Sequence, residues 1–141
     1  VFELSLHVGL GTFSAVEDSD LRKHLMHSEH FQISEAVLND LLEMKSEGKP
    51  IIAVGTTVVR VLESLALENY QRHAGWTDIF IYPPYEFRLV DGMLTNFHLP
   101  NSTLMMLVSA FCGRTNLLRA YQEAVLEGYC FFSYGDCMLI H

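Results

Sequence analysis

Residues 95–103 read Thr-Asn-Phe-His-Leu-Pro-Asn-Ser-Thr, and an apolar run from Leu104 follows directly. Asn101 or Ser102 is enough to cap a helix that opens there. Capping leaves Asn96 and His98 without a purpose. A neutral imidazole can take or give a proton near pH 7. Pro100 stiffens the loop, so holding a site still costs less chain entropy. His98 is therefore a candidate for acid–base work, with Asn96 orienting a ligand beside it. A histidine held by local backbone bonds would read the same way.

A second stretch, "IIAVGTTVVR" (Ile51 to Arg60), offers a different chemistry. An apolar strand ends at Gly55, and Thr56 and Thr57 open a helix. Backbone N–H groups and hydroxyls at such a junction suit a carboxylate or phosphate. Arg60, one turn on, could add a charged fork. No Gly-Lys-Ser/Thr follows, so this is no P-loop. The plainer reading is a capped helix with Arg60 in solvent. "FFSYGDCML" sets Tyr134, Gly135 and Asp136 on a turn before a strand, where an Asp commonly bonds its own backbone.

Two further patterns are weaker. "HLMHSEH" spaces His24, His27 and His30 three apart, with Glu29 between them. A helix would bring two of them to one metal. The spacing is not His-Glu-x-x-His, and surface histidines are the plainer reading. "LHVGLGTF" has Gly9 and Gly11 after a strand, as a nucleotide loop would. Phe13 stands where a third Gly would, Ser14 breaks the dinucleotide pattern, and no clear helix follows. A tight strand-end turn explains the glycines.

The elements that must position these groups follow from periodicity. Phe2 to Val8 alternates as a strand, followed by the turn "GLGTF", the acidic loop "VEDSD" and a short strand at "HFQI". Ser34 caps a helix with Val37, Leu38, Leu41 and Leu42 on one face, ended by Gly48 and Pro50. Ile51 to Val54 forms a buried strand, and Val58 to Asn69 continues as a helix. Thr77 to Tyr82 reads as a strand. Asp91-Gly92 between alternating runs predicts a hairpin with a two-residue turn. Helices from Ser102 to Cys112 and from Thr115 to Glu127, broken at Gly113, precede a last strand. Strands alternating with helices predict one α/β domain over residues 1–141, with a mixed β-sheet flanked by helices.

Bulk composition narrows the function. The 141 residues are 50% hydrophobic and 18% charged, which suits a packed core. No apolar run approaches the roughly 20 residues of a membrane span, and no signal peptide is visible. The chain lacks a starting Met and opens in mid-pattern, as part of a longer chain would. Cys112, Cys130 and Cys137 form no C-x-x-C, which suits free thiols in a reducing cytoplasm. A net charge of −8 argues against this chain gripping nucleic acid by itself.

Together, "LHVGLGTF", "MHSE", "IIAVGTT" with Arg60, "IFIYP", "TNFHLP" with "STL", "LVSAF" and "FFSYGD" with "MLI" resemble one family nearly end to end. It is the S-adenosylmethionine:tRNA ribosyltransferase-isomerase family of queuosine biosynthesis. The resemblance implies the C-terminal part of the family's α/β domain. The family's β-barrel domain and the first part of its α/β domain would lie upstream of Val1. It implies ribosyl transfer from S-adenosylmethionine, with isomerisation, onto the aminomethyl-deazaguanine wobble base of tRNA. Epoxyqueuosine is the product, and adenine and methionine leave. Beyond the co-substrate no cofactor or metal is implied. The partners would be S-adenosylmethionine and the tRNA anticodon loop. A cytoplasmic monomer without membrane contact is expected, inactive as this chain alone.

By the same resemblance, His98, Asn96 and Asp136 would serve catalysis. Gly55, Thr56, Thr57, Arg60, Tyr134, His27 and Glu29 would bind substrate. The chemistry asks for such groups: a base for the ribose carbon beside the sulfonium, an anion cradle for methionine, and walls for an unstacked base. The chain departs from the family at Pro84, Val58, Cys130, Cys137 and Glu17, and at Cys130 and Glu17 positive charge is lost. A methyltransferase built on "VGLGT" and an inactive truncated domain are the alternatives. Products separate them: adenine and methionine for the first reading, S-adenosylhomocysteine for the methyltransferase.

Overall fold

A computed structural model describes residues 1–9 and 21–141. The "GLGTF" turn after Gly9, the "VEDSD" loop and Glu17 lie outside the described residues. Within them the order is β1 (Ser5–His7), a 3-10 turn (Leu21–Lys23), β2 (Glu29–Gln32), α1 (Glu35–Ser46), β3 (Ile52–Val54), α2 (Thr56–Leu67) and β4 (Ala74–Thr77). Then come β5 (Gly92–Asn96), α3 (Thr103–Cys112), α4 (Arg114–Leu126) and β6 (Cys137–Ile140).

The described strands form two sheets. β1, β2 and β4 make an antiparallel sheet with β2 in the middle. β3, β5 and β6 make a mixed sheet with β5 in the middle, parallel to β3 and antiparallel to β6. α1 and α3 start where serines cap them. Ser34 Oγ accepts the Val37 N–H, and Ser102 Oγ accepts the Met105 N–H. α2 is buried on nearly every side, its Arg60 and Glu63 included. Its Val59, Val61 and Leu65 join Phe31, Ile81, Leu89, Met93, Leu107 and Val108 in the core. This central helix touches β3, β5, β1, β4 and α3, so it ties the two sheets together.

Two expected elements are absent, each for a local reason. The strand expected over Thr77 to Tyr82 is not one: β4 ends at Thr77. The Ile79 N–H turns back to Thr77 Oγ1, which also meets Ser64 Oγ on α2. A ladder bond is thus exchanged for a side-chain bond. The hairpin through Asp91-Gly92 does not form either. Residues 88–90 give their N–H groups to the Glu63 carboxylate instead of a partner strand. Asp91 accepts from the Ile51 N–H and pairs with Lys45. Gly92 is needed for space rather than for a turn. A Cβ there would lie 2.6 Å from Ile52 Cδ1 and 3.0 Å from the Ile140 carbonyl. The central strand β5 leaves no room for a side chain at that crossing.

Candidate functional site

Three of the sequence motifs meet at one edge of the mixed sheet. β3 and β5 run parallel with Val54 opposite Leu94, so both carboxyl ends open on the same side. The Gly55 N–H donates to the Leu94 carbonyl at 2.8 Å, which locks the two strand ends together. β6 enters from that side, with Cys137 opposite Asn96. Residues 55–57, 97–102 and 130–136 are thereby neighbours. In open α/β sheets this carboxyl edge is where ligands sit.

His98 is held from two directions. Its Nε2 lies 2.9 Å from the Thr95 hydroxyl, itself buried on β5. Its backbone N–H donates to the Tyr121 hydroxyl at 2.7 Å, and that hydroxyl faces the His98 carbonyl at 3.3 Å. α4 thus clamps the loop through one side chain. Burial pushes the imidazole pKa down from 6.5 to about 4. At neutral pH the ring is uncharged. It can accept a proton or share a neutral hydrogen bond, but it offers no imidazolium to a leaving group. Burial, with the neighbouring Cys112 charge, also pushes the Tyr121 hydroxyl up, against the His98 backbone bond that lowers it. The clamp therefore stays protonated.

Asn96 ends β5, and Asp136 lies just before β6. The Asn96 amide donates to the Gly135 carbonyl at 3.3 Å and to the Asp136 carbonyl at 3.1 Å. The Asp136 carboxylate accepts the Cys130 N–H at 2.8 Å, and the Asp136 N–H returns to the Cys130 carbonyl at 2.7 Å. Both side chains brace the 130–136 loop, as a turn aspartate commonly does. Tyr134 projects from that loop, fully exposed.

At the other junction Thr56 is buried and no side chain caps α2. Its first N–H groups are the unpaired donors that every helix start leaves. Arg60 is not in solvent. It is 2% exposed, and its Nη1 donates to Glu29 Oε2 on β2. The other Glu29 oxygen accepts the Gly9 N–H at 2.8 Å. Arg60 Nε and Nη2 have no hydrogen-bond partner among the described residues. Arg60, Glu29 and Gly9 thus form one chain of contacts that runs from the interior to the surface. His27 is exposed, and His24 and His30 pack on Phe80 and Trp76. Among the described residues no group of three or more His, Cys, Asp or Glu could hold a metal ion.

Sequence reasoning missed Glu63, Thr95 and Tyr121. Glu63 is wholly buried and accepts from the N–H groups of Arg88, Leu89 and Val90 and from the Tyr85 hydroxyl. Its signal was a carboxylate on an otherwise apolar helix face. Thr95 and Tyr121 gave none, since their partner His98 is fixed only by the fold. Two clefts are mainly apolar: a groove of about 560 Å³ beside Ile52 and Val54, and a cleft of about 480 Å³ beside Phe97 and Leu117. Neither is lined by His98 or Arg60.

Comparison with known proteins gives a uniform result. Residues 1–140 match the family model described as "Queuosine biosynthesis protein". The chain is 55% identical over 142 residues to an S-adenosylmethionine:tRNA ribosyltransferase-isomerase of Halothermothrix orenii, covering 99% of this chain and 42% of that protein. A protein of the same name from Nitratidesulfovibrio vulgaris is 51% identical over 140 residues, with 98% and 38% covered. A crystal structure of S-adenosylmethionine tRNA ribosyltransferase from Thermotoga maritima is similar with a TM-score of 0.75 and 50% identity, covering 80% of this chain and 40% of that one. The chain spans about two fifths of the length of these relatives. No described helix is long and apolar enough to cross a membrane.

Proposed function

Since the chain belongs to the queuosine biosynthesis protein family, we propose that it carries part of the active site of an S-adenosylmethionine-dependent tRNA ribosyltransferase-isomerase. One observation carries the reading. The three loops that hold the family motifs meet at the carboxyl edge of one sheet. S-adenosylmethionine is the ribosyl donor and tRNA the acceptor, in a cytoplasmic enzyme that acts as a monomer. Ribosyl passes to the deazaguanine base, and adenine and methionine leave.

In this reading His98 acts as a neutral imidazole, the base half of an acid–base pair. Proton transfer to a positioned base contributes typically about 10²–10⁴-fold. Burial keeps the ring uncharged but weakens it as a base, and the sulfonium offsets this by acidifying the ribose carbon next to it. Protonating the departing adenine falls to another group. Gly55, Thr56 and Thr57 hold an oxyanion of a substrate at the open start of α2. Glu29 and Arg60 support that start from beneath, and Asn96 and Asp136 set the shape of the 130–136 loop.

The test is His98→Ala in a protein of the relatives' full length that contains this chain. Turnover, read as adenine and methionine released from S-adenosylmethionine and precursor tRNA, should fall by about 10²–10⁴-fold. Normal turnover per folded molecule would make the loop structural. S-adenosylhomocysteine as the product would overturn the activity itself.

A further inference from the structure

The 130–136 loop holds two aromatic residues in a conformation that aromatic residues avoid. Phe132 lies at φ 71° and Tyr134 at φ 66°, both in the left-handed region. Such residues persist only where the surroundings over-determine them. Here they do. The Phe132 N–H donates to the Phe97 carbonyl at 3.1 Å, and the Gly135 N–H to the Phe132 carbonyl at 3.1 Å. Asp136 closes the loop on Cys130 through two bonds, and Asn96 holds the carbonyls of Gly135 and Asp136. A Cβ at Gly135 would lie 2.3 Å from the Cys130 carbonyl, so only Gly fits the closure.

Inside the loop Phe131 packs tilted against Phe97 at 4.8 Å and edge-to-face against Tyr121 at 5.6 Å. Tyr121 is the residue that clamps His98. Outside, the Phe132 ring is 49% exposed and the Tyr134 ring 108% exposed. The fold thus spends backbone strain on a tyrosine that buries nothing and gains no stability from its ring. Ser133 and Gly135 flank it in sequence, and Asn96 holds the loop backbone just beyond it. Residues 130–137 contain no Lys or Arg and one Asp, so the loop is unsuited to phosphate.

What remains is the face of the ring. We propose that Tyr134, with Phe132 beside it, is a rigid stacking platform for a flat, purine-like ring. This rests on the activity proposed above, which supplies two such rings: the adenine of S-adenosylmethionine and an unstacked base of the tRNA. Stacking of a base on an aromatic side chain needs no sequence-specific hydrogen bond. It does need the side chain held still, which the closed loop provides.

The experiment uses a protein of the relatives' full length containing this chain, with Tyr134→Ala, Tyr134→Phe and Tyr134→Trp. Three quantities are measured: the KM for S-adenosylmethionine, the Kd of the tRNA anticodon stem-loop by fluorescence anisotropy, and the melting temperature. Tyr134→Ala should raise one of the two constants by roughly 5- to 150-fold, the range expected for one lost base–aromatic stack. Tyr134→Phe and Tyr134→Trp should return it to within about twofold, and none should move the melting temperature. A raised KM for S-adenosylmethionine identifies adenine as the stacked ring, and a raised stem-loop Kd identifies a tRNA base. Unchanged constants in Tyr134→Ala would overturn the platform while leaving the activity standing. So would a lowered melting temperature that Tyr134→Phe restores, since the ring would then be packed on the rest of the chain. A wild-type protein that binds neither probe and releases no adenine would sink both proposals.

Discussion

The two strand-to-helix junctions at the carboxyl edge solve the same problem in opposite ways. β3 passes into α2 through Gly55 alone, with no side-chain cap. β5 reaches α3 through residues 97–102, and Ser102 caps the helix. Each junction has a basic side chain nearby, Arg60 buried and His98 half-buried. Arg60 stays charged because guanidinium does not deprotonate in proteins, and it needs a carboxylate, which Glu29 supplies. His98 drops its charge, and a threonine hydroxyl is enough. The type of base therefore decides whether a buried site requires a counter-ion or only a neutral hydrogen bond. One junction is fixed electrostatically, and the other is open to titration.

The largest expected effect comes from breaking the ionic junction. Arg60→Met would leave the Glu29 carboxylate buried without its guanidinium. Removing one partner of a buried pair costs about 3–5 kcal/mol. Urea denaturation of the variant should show a loss of that order. Adding Glu29→Gln to Arg60→Met should recover most of it, because an amide oxygen can still accept the Gly9 N–H. A single variant as stable as the wild type would mean that water reaches the pair, and the contrast between the junctions would collapse.

The neutral junction should answer to pH through His98. The folded pKa of His98, about 4, lies below its ordinary 6.5, so protons favour the unfolded chain. The stabilisation is complete above about pH 6.5 and is lost as pH falls towards 4. At about 1.4 kcal/mol per pKa unit, up to about 3 kcal/mol is at stake across that window. His98→Asn should flatten the dependence of melting temperature on pH between those limits. Asp91 acts lower down. Burial works to raise its pKa, but Lys45 and the Ile51 N–H outweigh it, so its contribution is lost only as pH falls below the usual carboxylate range. An unchanged slope in His98→Asn would show that the ring is solvated and charged, like an ordinary surface histidine.

What the sequence made legible has a physical pattern. The helices were readable because their caps and apolar faces are local: Ser34, Ser102 and Gly113 all act within a turn or two. The mixed sheet and both junctions followed from short apolar runs ending in Gly or in polar residues. The false hairpin had the right alternation and the right Asp-Gly. It failed because Glu63, 25 to 27 residues away, takes the N–H groups that a partner strand would have used. The burial of Arg60 was not legible for the same reason, since its partner Glu29 is 31 residues upstream. Tyr121 is 23 residues from His98 and left no trace of the clamp. Side-chain partners across such separations exist only once the strands are in register, and periodicity carries no information about them.

The smallest effect separates capping from chemistry within one loop. Ser102 Oγ accepts the Met105 N–H at 3.1 Å and donates to the Leu99 carbonyl at 2.7 Å. It closes the start of α3 and the end of the loop that carries His98. Ser102→Ala should cost about 1 kcal/mol of stability, the usual loss for a cap. His98 should not move far, because Thr95 and Tyr121 hold it independently of Ser102. Turnover per folded Ser102→Ala molecule should therefore stay within a few-fold of wild type, far from the roughly 10²-fold minimum expected for His98→Ala. Gly55 has no equivalent test, since α2 has no cap to remove and a φ of 96° strains any other residue there. A loss of turnover in Ser102→Ala as deep as in His98→Ala would mean that the cap positions the imidazole. The second junction would then be as rigidly coupled to its helix start as the first.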